Sequence, residues 1–327
     1  MRVLHVTNGY PTPKHPEFCV FTKEQIDSLD NNVVHSDLIF VNGRDEGIKS
    51  YLRYMIQVRR MRKNYDLIHC FHGLSFLMVY LMCHRSRILV SFQNPLEFEY
   101  VDANPMLNTI LTKLTKWLVK KPHVAKIFKG KVPAFLKEDK QTFLLPNGVN
   151  TDHFRPRSKI EAKKKLGLDI EKKYILFVSA KNIERKQKRY DIFKAMLDEL
   201  KKNKNFKNYD ALTLVNEKRE NVPYYFNASE VHVITSDFEG SPNSVKESLS
   251  SNIPVVARDV GNIREMIAGA KNCFISNSAN PKELANLVQE SVDTNSDLRR
   301  LIFENGLDLQ TTAVKLLEIY KNIIGIK

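Results

Sequence analysis

Short β-branched or apolar runs alternate with longer amphipathic stretches from the first residues of the chain. "RVLHVT" precedes "VFTKEQIDSL", "SDLIFV" precedes "GIKSYLRYMIQVRRMRKN", "DLIHCF" precedes "LSFLMVYLMCH", and "RILVSFQ" precedes "ANPMLNTILTKLTKWLVKK". Strand and helix periods taking turns in this way predict a parallel, doubly wound α/β sheet. The pattern then starts again, with "KYILFVSA" before "RYDIFKAMLDELKKN", "ALTLVN" before "VPYYFNAS", "VHVITS" before "SVKESLSS", and "IPVVARD" before "NIREMI". Between the two series lies "LLPNGVNTDHFRPRSK", where Pro146, Asn147, Gly148 and Pro156 punctuate a polar connection. The expected division is therefore residues 1–148, residues 149–310, and a last helix over 311–327. That helix, "TTAVKLLEIYKNIIG", has Leu316, Leu317, Tyr320 and Ile323 on one face and is expected to pack back toward the first domain. Two open α/β sheets offer their strand carboxyl ends to ligands, so a cleft between two doubly wound domains is the expected active site.

Composition adds a direction. A chain of 327 residues fits two cores, and its formal charge of +14 is spread over both halves rather than collected in a tail. Such a balance points to acidic partners: phosphates, anionic lipid or nucleic acid. Cys19, Cys70, Cys83 and Cys273 are scattered and form no Cys-x-x-Cys pair, which fits a reducing cytoplasm rather than a disulfide framework. "MRVLHVTNGY" enters a strand directly, without the basic start and apolar stretch of a signal peptide. The longest apolar run, "FLMVYLMC", falls short of the roughly 18 residues that span a bilayer. A cytoplasmic protein is expected, with a peripheral contact on the inner face of the cell membrane left open.

Candidate chemistry concentrates in "SDFEGSPNSVKESLSSNIPVVARDVGNIREMI", residues 236–267. Ser241 is suited to an N-cap and Pro242 to the first helical position, which predicts a helix from about residue 242, just after the strand "VHVITS". Its free N–H groups and positive dipole end make an anion site suited to a diphosphate. Glu239 precedes the helix and Glu247 lies inside it. A carboxylate offers two acceptor oxygens to a vicinal diol, so two of them flanking a phosphate site match a nucleotide sugar. Spacing alone is weak evidence, since one such glutamate pair arises by chance. A cationic or metal site and a solvated helix face also fit it.

The same stretch closely resembles the E-x7-E signature of glycosyltransferase family 4, whose retaining enzymes have the GT-B fold of two Rossmann-like domains facing a cleft. "TNGYPTPKHPEFCVFTKEQIDSL" is similar to that family's first strand, loop and helix, "LLPNGVNTDHFRP" to its interdomain connection, and "YILFVSA" with "RKQKRYD" to its donor-phosphate segment. The likeness covers nearly the whole chain. It implies an acceptor-side first domain, a nucleotide-sugar-binding second domain, and no metal or other cofactor. By this resemblance Glu239 would bind hydroxyls of the transferred sugar and Glu247 the ribose. The backbone of Gly240, Ser241, Pro242, Asn243 and Ser244 would face sugar and phosphate, and Lys188, with Arg185 as second cation, would neutralise the diphosphate. A departing nucleoside diphosphate gains charge, which pre-placed cations and a helix amino terminus stabilise. A UDP-sugar is favoured over a GDP-sugar as donor, with a saccharide or lipid-linked acceptor in cell-surface polysaccharide synthesis such as lipopolysaccharide or capsule.

Some positions depart from the family pattern. Cys19 stands where many members carry a glycine close to the donor phosphate, and Arg189 where a glycine usually follows the lysine. Gln93 takes the place of a histidine found near the reacting sugar in relatives; it can orient a hydroxyl but cannot take its proton at neutral pH. In the route implied by the family the leaving phosphate accepts that proton. Cys19, His72, Gln93 and Asn94 are the acceptor-side candidates, while His69 reads equally as a core histidine. His69 and His72 without a third ligand are poor evidence for metal. The short passage from "LTLVN" to "VHVITS" leaves the region of Asn216, Glu217 and "VPYYFN" for the base.

Residues 106–140 hold nine lysines against Glu138 and Asp139, with Leu114, Trp117 and Leu118 among them, and "YLRYMIQVRRMRK" adds Arg53, Arg59, Arg60, Arg62 and Lys63. A basic amphipathic helix with an aromatic anchor suits an anionic membrane surface, and equally a lysine face on a core-packed helix. No nucleic-acid-binding motif accompanies these residues, and no nucleic acid partner is expected. Two other readings stay open: a GT-B sugar-nucleotide epimerase or hydrolase, which would want an acid/base pair, and a non-catalytic basic saccharide-binding protein.

Overall fold

The first series of predicted strands pairs into one six-stranded sheet. β1 (Arg2–Thr7), α1 (Val20–Asp27), β2 (His35–Phe40), α2 (Gly43–Glu46), α3 (Lys49–Met61), β3 (Leu67–Phe71), α4 (Gly73–Cys83), β4 (Ile88–Phe92), α5 (Pro105–Leu118), β5 (Val124–Phe128) and β6 (Thr142–Leu144) follow one another, and the sheet runs β2-β1-β3-β4-β5-β6, parallel throughout. This computed structural model describes residues 1–30, 32–47, 49–100, 103–179, 182–294 and 296–326. Ile48 and Ala180, inside two predicted elements, and Lys327, inside the predicted last helix, lie outside the described residues.

β3, β4 and β5 are buried along their whole length, as parallel strands covered on both faces must be. Successive residues feed opposite layers. Leu4, Val6, Ile68, Cys70, Ile88 and Val90 pack with Val58, Phe76 and Val79 of α3 and α4. Val3, Leu67, Leu89, Ala125 and Ile127 pack instead with Leu316, Ile319 and Tyr320 near the end of the chain.

The second series gives α6 (Lys159–Lys165), β7 (Lys173–Val178), α7 (Tyr190–Lys201), β8 (Tyr209–Leu214), α8 (Val222–Asn227), β9 (Val231–Ile234), α9 (Asn243–Ser250), β10 (Val255–Arg258), α10 (Ile263–Met266), β11 (Phe274–Ser276), α11 (Pro281–Asp293) and α12 (Arg300–Glu304). Its sheet runs β11-β10-β9-β7-β8, again parallel. Counted in chain order, this is the strand order of β1 to β5. Both sheets therefore reverse direction between their first and third strands, β1/β3 and β7/β9.

The last helix, α13 (Leu309–Ile324), rejoins the first sheet, so one unit comprises Met1–Gly148 with Leu309–Lys327 and the other Val149–Asp308. The expected packing of the last helix on the first domain is what the structure has, with Ile319 added to the buried stripe of Leu316 and Tyr320. Tyr320 is completely buried, and its hydroxyl is 2.7 Å from His69 Nδ1, whose Nε2 lies 2.8 Å from Ser91 Oγ. His69 thus belongs to the core.

Burial holds these histidines neutral. His5, in the same layer, is pushed from 6.5 to about 3, and His69 well below the usual range. His72, pushed down to about 4, and His232, down to about 3, have the same sign, whereas burial raises the Glu99 carboxyl to about 7. On unfolding the four histidines return toward 6.5, so below that pH the unfolded chain binds more protons than the fold and stability falls with pH; Glu99 opposes this with one proton. The urea midpoint is expected to drop between about pH 6.5 and pH 4.5, with net proton uptake on unfolding. A flat or rising midpoint over that interval would show that the histidines are charged in the fold.

Candidate functional site

In the unit Val149–Asp308, two turns at the reversal point are stitched together by polar side chains. The turn after β9 begins at Thr235, whose hydroxyl donates to the carbonyls of Lys188 and Arg189 at 2.8 and 2.9 Å. Gln187 Nε2 donates to the Phe238 carbonyl at 2.7 Å, and the Asp237 N–H donates back to the Gln187 carbonyl at 2.9 Å. Arg258, at the end of β10, spans the carbonyls of Thr235 and Ser236 and the Asp237 carboxylate at 3.0, 3.2 and 2.6 Å. The carbonyls of Thr235, Ser236 and Phe238 thus each have a charged or amide donor, which fixes the loop without regular structure.

Two of the sequence-predicted residues meet in this frame. Lys188 Nζ lies 2.7 Å from Glu239 Oε1, which also accepts from Ser236 Oγ at 2.7 Å. Their side chains are 16% and 11% exposed, so the pair is screened little yet reachable. Arg185 is engaged with Gln187 Oε1 at 2.9 Å, two residues from its own position, and does not join this pair. Arg189 takes the left-handed conformation, φ 52°, ψ 54°. That is the backbone a glycine adopts freely, and here the guanidinium is tied to Asp191 and Asp237 instead.

Beyond Glu239 the chain runs through Gly240–Ser244 into α9, and here the prediction needs correction. Ser241 is not the N-cap and Pro242 is not helical: Pro242 holds the capping position in an extended conformation, and the helix begins at Asn243. The Ser241 hydroxyl is occupied elsewhere, accepting from Lys246 Nζ at 3.2 Å. His232 secures the next serine. Its Nδ1 faces the Leu176 carbonyl at 3.3 Å, which can only accept, so the neutral ring carries its proton there and Nε2 accepts from Ser244 Oγ at 3.1 Å. Gly261, at φ +61°, lets its backbone lie against the Gly240 carbonyl, where a Cβ would collide. Among the described residues, the buried Oδ1 atoms of Asn243 and Asn262 have no hydrogen-bond partner.

Glu247, one turn inside α9, is 9% exposed and pairs with Arg219 Nη1 at 2.6 Å. The Arg219 guanidinium stands over the Phe154 ring, 4.6 Å from its centroid, and His153 Nε2 donates to the Arg219 carbonyl at 3.0 Å. Sequence reading missed Arg219, which sits in the polar run "NEKREN" with no periodicity to mark it. It also missed Lys246, although a lysine between Val245 and Leu249 on a helix's apolar face was a readable signal.

In the other unit the acceptor-side candidates gather at the ends of β1, β3 and β4. Cys19 Sγ lies 3.9 Å from His72 Nε2, and both side chains crowd Gly9, where a Cβ would be 2.5 Å from the sulfur. Cys19 (φ 53°, ψ 39°) and His72 (φ 73°, ψ 151°) are both in conformations that favour glycine. Cys19 therefore holds a left-handed backbone without being a glycine. Glu99 bridges the next two loops, accepting from the N–H groups of Gly73 at 2.7 Å and Asn94 at 3.4 Å. Gln93 accepts from Asn147 Nδ2 at 3.0 Å, while its own Nε2 is buried with no partner among the described residues.

The basic segment 106–140 does not act as one surface. Lys126 and Lys129 are internal, the first paired with Asp139 at 2.8 Å. Within this segment α5 turns an apolar stripe outward, with Met106, Ile110, Leu114 and Trp117 exposed by 73, 53, 38 and 56%. Among the described residues no helix is long and apolar enough to cross a membrane, and no group of three His, Cys, Asp or Glu side chains is placed to hold a metal ion.

Comparison with known proteins bears on this geometry. Residues 194–308 match the family model described as glycosyl transferases group 1. A lipopolysaccharide core biosynthesis mannosyltransferase, LpsB of Rhizobium meliloti (strain 1021), is 27% identical over 185 residues, which are 48% of this chain and 51% of that protein. The match thus spans about half of the relative's length. Among solved structures, a sucrose-phosphate synthase from Thermosynechococcus elongatus superimposes with a TM-score of 0.75 at 13% identity, covering 99% of this chain and 100% of that one. Anabaena HepE in complex with UDP-glucose gives 0.72 at 13% identity, covering 98% of this chain and 100% of that one. At such identities the likeness shows the fold. Residues 194–308 thus carry a glycosyl transferases group 1 domain, within a chain of two parallel-sheet, Rossmann-like units of the GT-B kind.

Proposed function

We propose that this chain is a retaining glycosyltransferase that moves a sugar from a nucleotide donor, a UDP-sugar ahead of a GDP-sugar, to a saccharide or lipid-linked acceptor in cell-surface polysaccharide synthesis. The observation that carries the reading is the Lys188–Glu239 pair placed at the entrance of the Gly240–Ser244 loop and α9, with Glu247 one turn further on. Glu239 binds hydroxyls of the sugar, and Glu247, steadied by Arg219, binds the ribose. The match to a mannosyltransferase of lipopolysaccharide core synthesis supports the acceptor class.

In this reaction the bond from the anomeric carbon to the leaving phosphate oxygen breaks and its electron pair goes to the diphosphate. Lys188 and the first-turn N–H groups of α9 stabilise the charge that develops there, so no metal is required. The acceptor hydroxyl forms the new bond on the same face and gives its proton to the departing phosphate oxygen. His72, Gln93, Asn94 and Cys19 serve the acceptor side, orienting hydroxyls. His72, pushed down to about 4 by burial, is neutral at pH 7.

With a chelator present, UDP at a hundredfold excess over its Kd is expected to add about 2.7 kcal/mol of stability. Glu247→Ala should remove most of the resulting rise in melting temperature. Lys188→Ala should slow release of nucleotide from a hydrolysed nucleotide sugar by about a hundredfold or more. If neither UDP nor GDP stabilises the protein, the transferase reading fails.

The α5 stripe supports peripheral attachment to the inner face of the cell membrane. Met106, Ile110, Leu114 and Trp117 recur at helical spacing beside Lys113, Lys116, Lys120 and Lys121, an apolar band rimmed by cations. Trp117 is the chain's single tryptophan, so its fluorescence reports directly. Its emission should shift to the blue with phosphatidylglycerol vesicles, less at high salt, and not with phosphatidylcholine vesicles. Ile110→Asp should abolish the shift; an unchanged spectrum with native protein would remove α5 as a membrane contact.

A further inference from the structure

Lys246 has no part in the reaction above, yet no simple structural reason puts a lysine there. It is fully buried, on the face of α9 that also carries Val245 and Leu249. A residue of that face would ordinarily be aliphatic. It is the fourth residue of α9, and helical side chains lean back toward the amino terminus, so its stem runs toward the start of the helix. There Nζ meets Ser241, at 3.2 Å from the hydroxyl and 3.5 Å from the carbonyl oxygen. The ammonium therefore lies on the core side of the same loop whose other anchors are His232, through Ser244, and Gly261, against Gly240.

That placement does two things. A charged donor on both polar atoms of Ser241 fixes the peptide between Gly240 and Pro242, and with it the direction in which α9 begins. In its protonated form it also sets a unit positive charge where the helix dipole supplies only about half of one. In a buried setting that charge is screened less than a surface lysine would be. Burial pulls the amine down to about 7 while the neighbouring Glu247 carboxylate opposes this, so the ammonium gains from any further negative charge brought to the loop.

We propose that Lys246 is a positioning residue for the diphosphate, fixing the Gly240–Ser244 loop from beneath through Ser241 and adding its charge to the anion site at the start of α9. This rests on the proposed function and assigns to the site a cation that never touches the donor. Lys246 acts more strongly as the leaving diphosphate gains charge, so it affects turnover beyond binding.

The test uses the full chain and UDP as probe, with titration calorimetry for affinity and nucleotide release from UDP-glucose for turnover. Lys246→Met keeps the length of the stem and removes the charge and donors. The variant is expected to melt no lower than the native protein, to bind UDP about tenfold or more weakly, and to lose more in kcat than in KM. Equal UDP affinity and turnover in Lys246→Met and native protein would overturn the assignment. Should Lys246→Met not fold, Lys246→Arg decides: UDP affinity within about threefold of native, with charge and donors retained, supports it, and a loss beyond that overturns it. Failure of the native chain to bind either UDP or GDP would instead strike the proposed function itself.

Discussion

A parallel strand can be followed by its neighbour only through a crossover on the face of the sheet, and this constraint decides where the chemistry of the chain stands. Within each sheet every strand ends on the same side, so the loops that can vary without disturbing that unit's core collect there. Because both sheets have the same strand order, each also has one place where successive crossovers diverge, and that is where a loop finds room for a ligand. Gly9, Cys19 and His72 stand at one such place, Lys188 and Glu239 at the other.

Electrostatics at the second place follows from burial. Carboxylates as enclosed as Glu239 and Glu247 are costly unless each has a cation, and Lys188 and Arg219 supply them. Each cation leaves its glutamate a second oxygen. The arrangement keeps both side chains paired and aimed while the loop between them is held by neutral His232 and by backbone packing at Gly261.

The alternation of strands and helices was legible in the sequence because continuous apolar runs and helical periodicity are local, and both sheets and the last helix follow from them. Glu239, Glu247 and Lys188 were legible through their context, a strand, a turn and a helix start. The N-cap at Ser241 was misread because the capping preference lost to a buried side chain five residues on, Lys246, which occupies the hydroxyl. Arg219 was unreadable, since its partner lies 28 residues away and nothing in the intervening sequence specifies the distance. Lysines 126 and 129 were counted with the surface because sequence shows charge and not depth. Cys19 and Arg189 were singled out in the sequence as positions where the resemblance expects glycine, and both take the left-handed backbone that favours it, held there by their surroundings instead of by the residue type.

The return of α13 to the first sheet has a consequence for how the chain matures. Val149–Asp308 has all of its residues once Asp308 is made, whereas the core of the first unit waits for Tyr320, which reaches His69 across 251 positions. On a ribosome the inner unit is therefore complete first, and the outer one, though begun earlier, finishes last. Until then, the layer formed by Val3, Leu67, Leu89 and Ile127 lacks its covering helix, and that exposed apolar face is the stage at which a nascent chain would most need a chaperone.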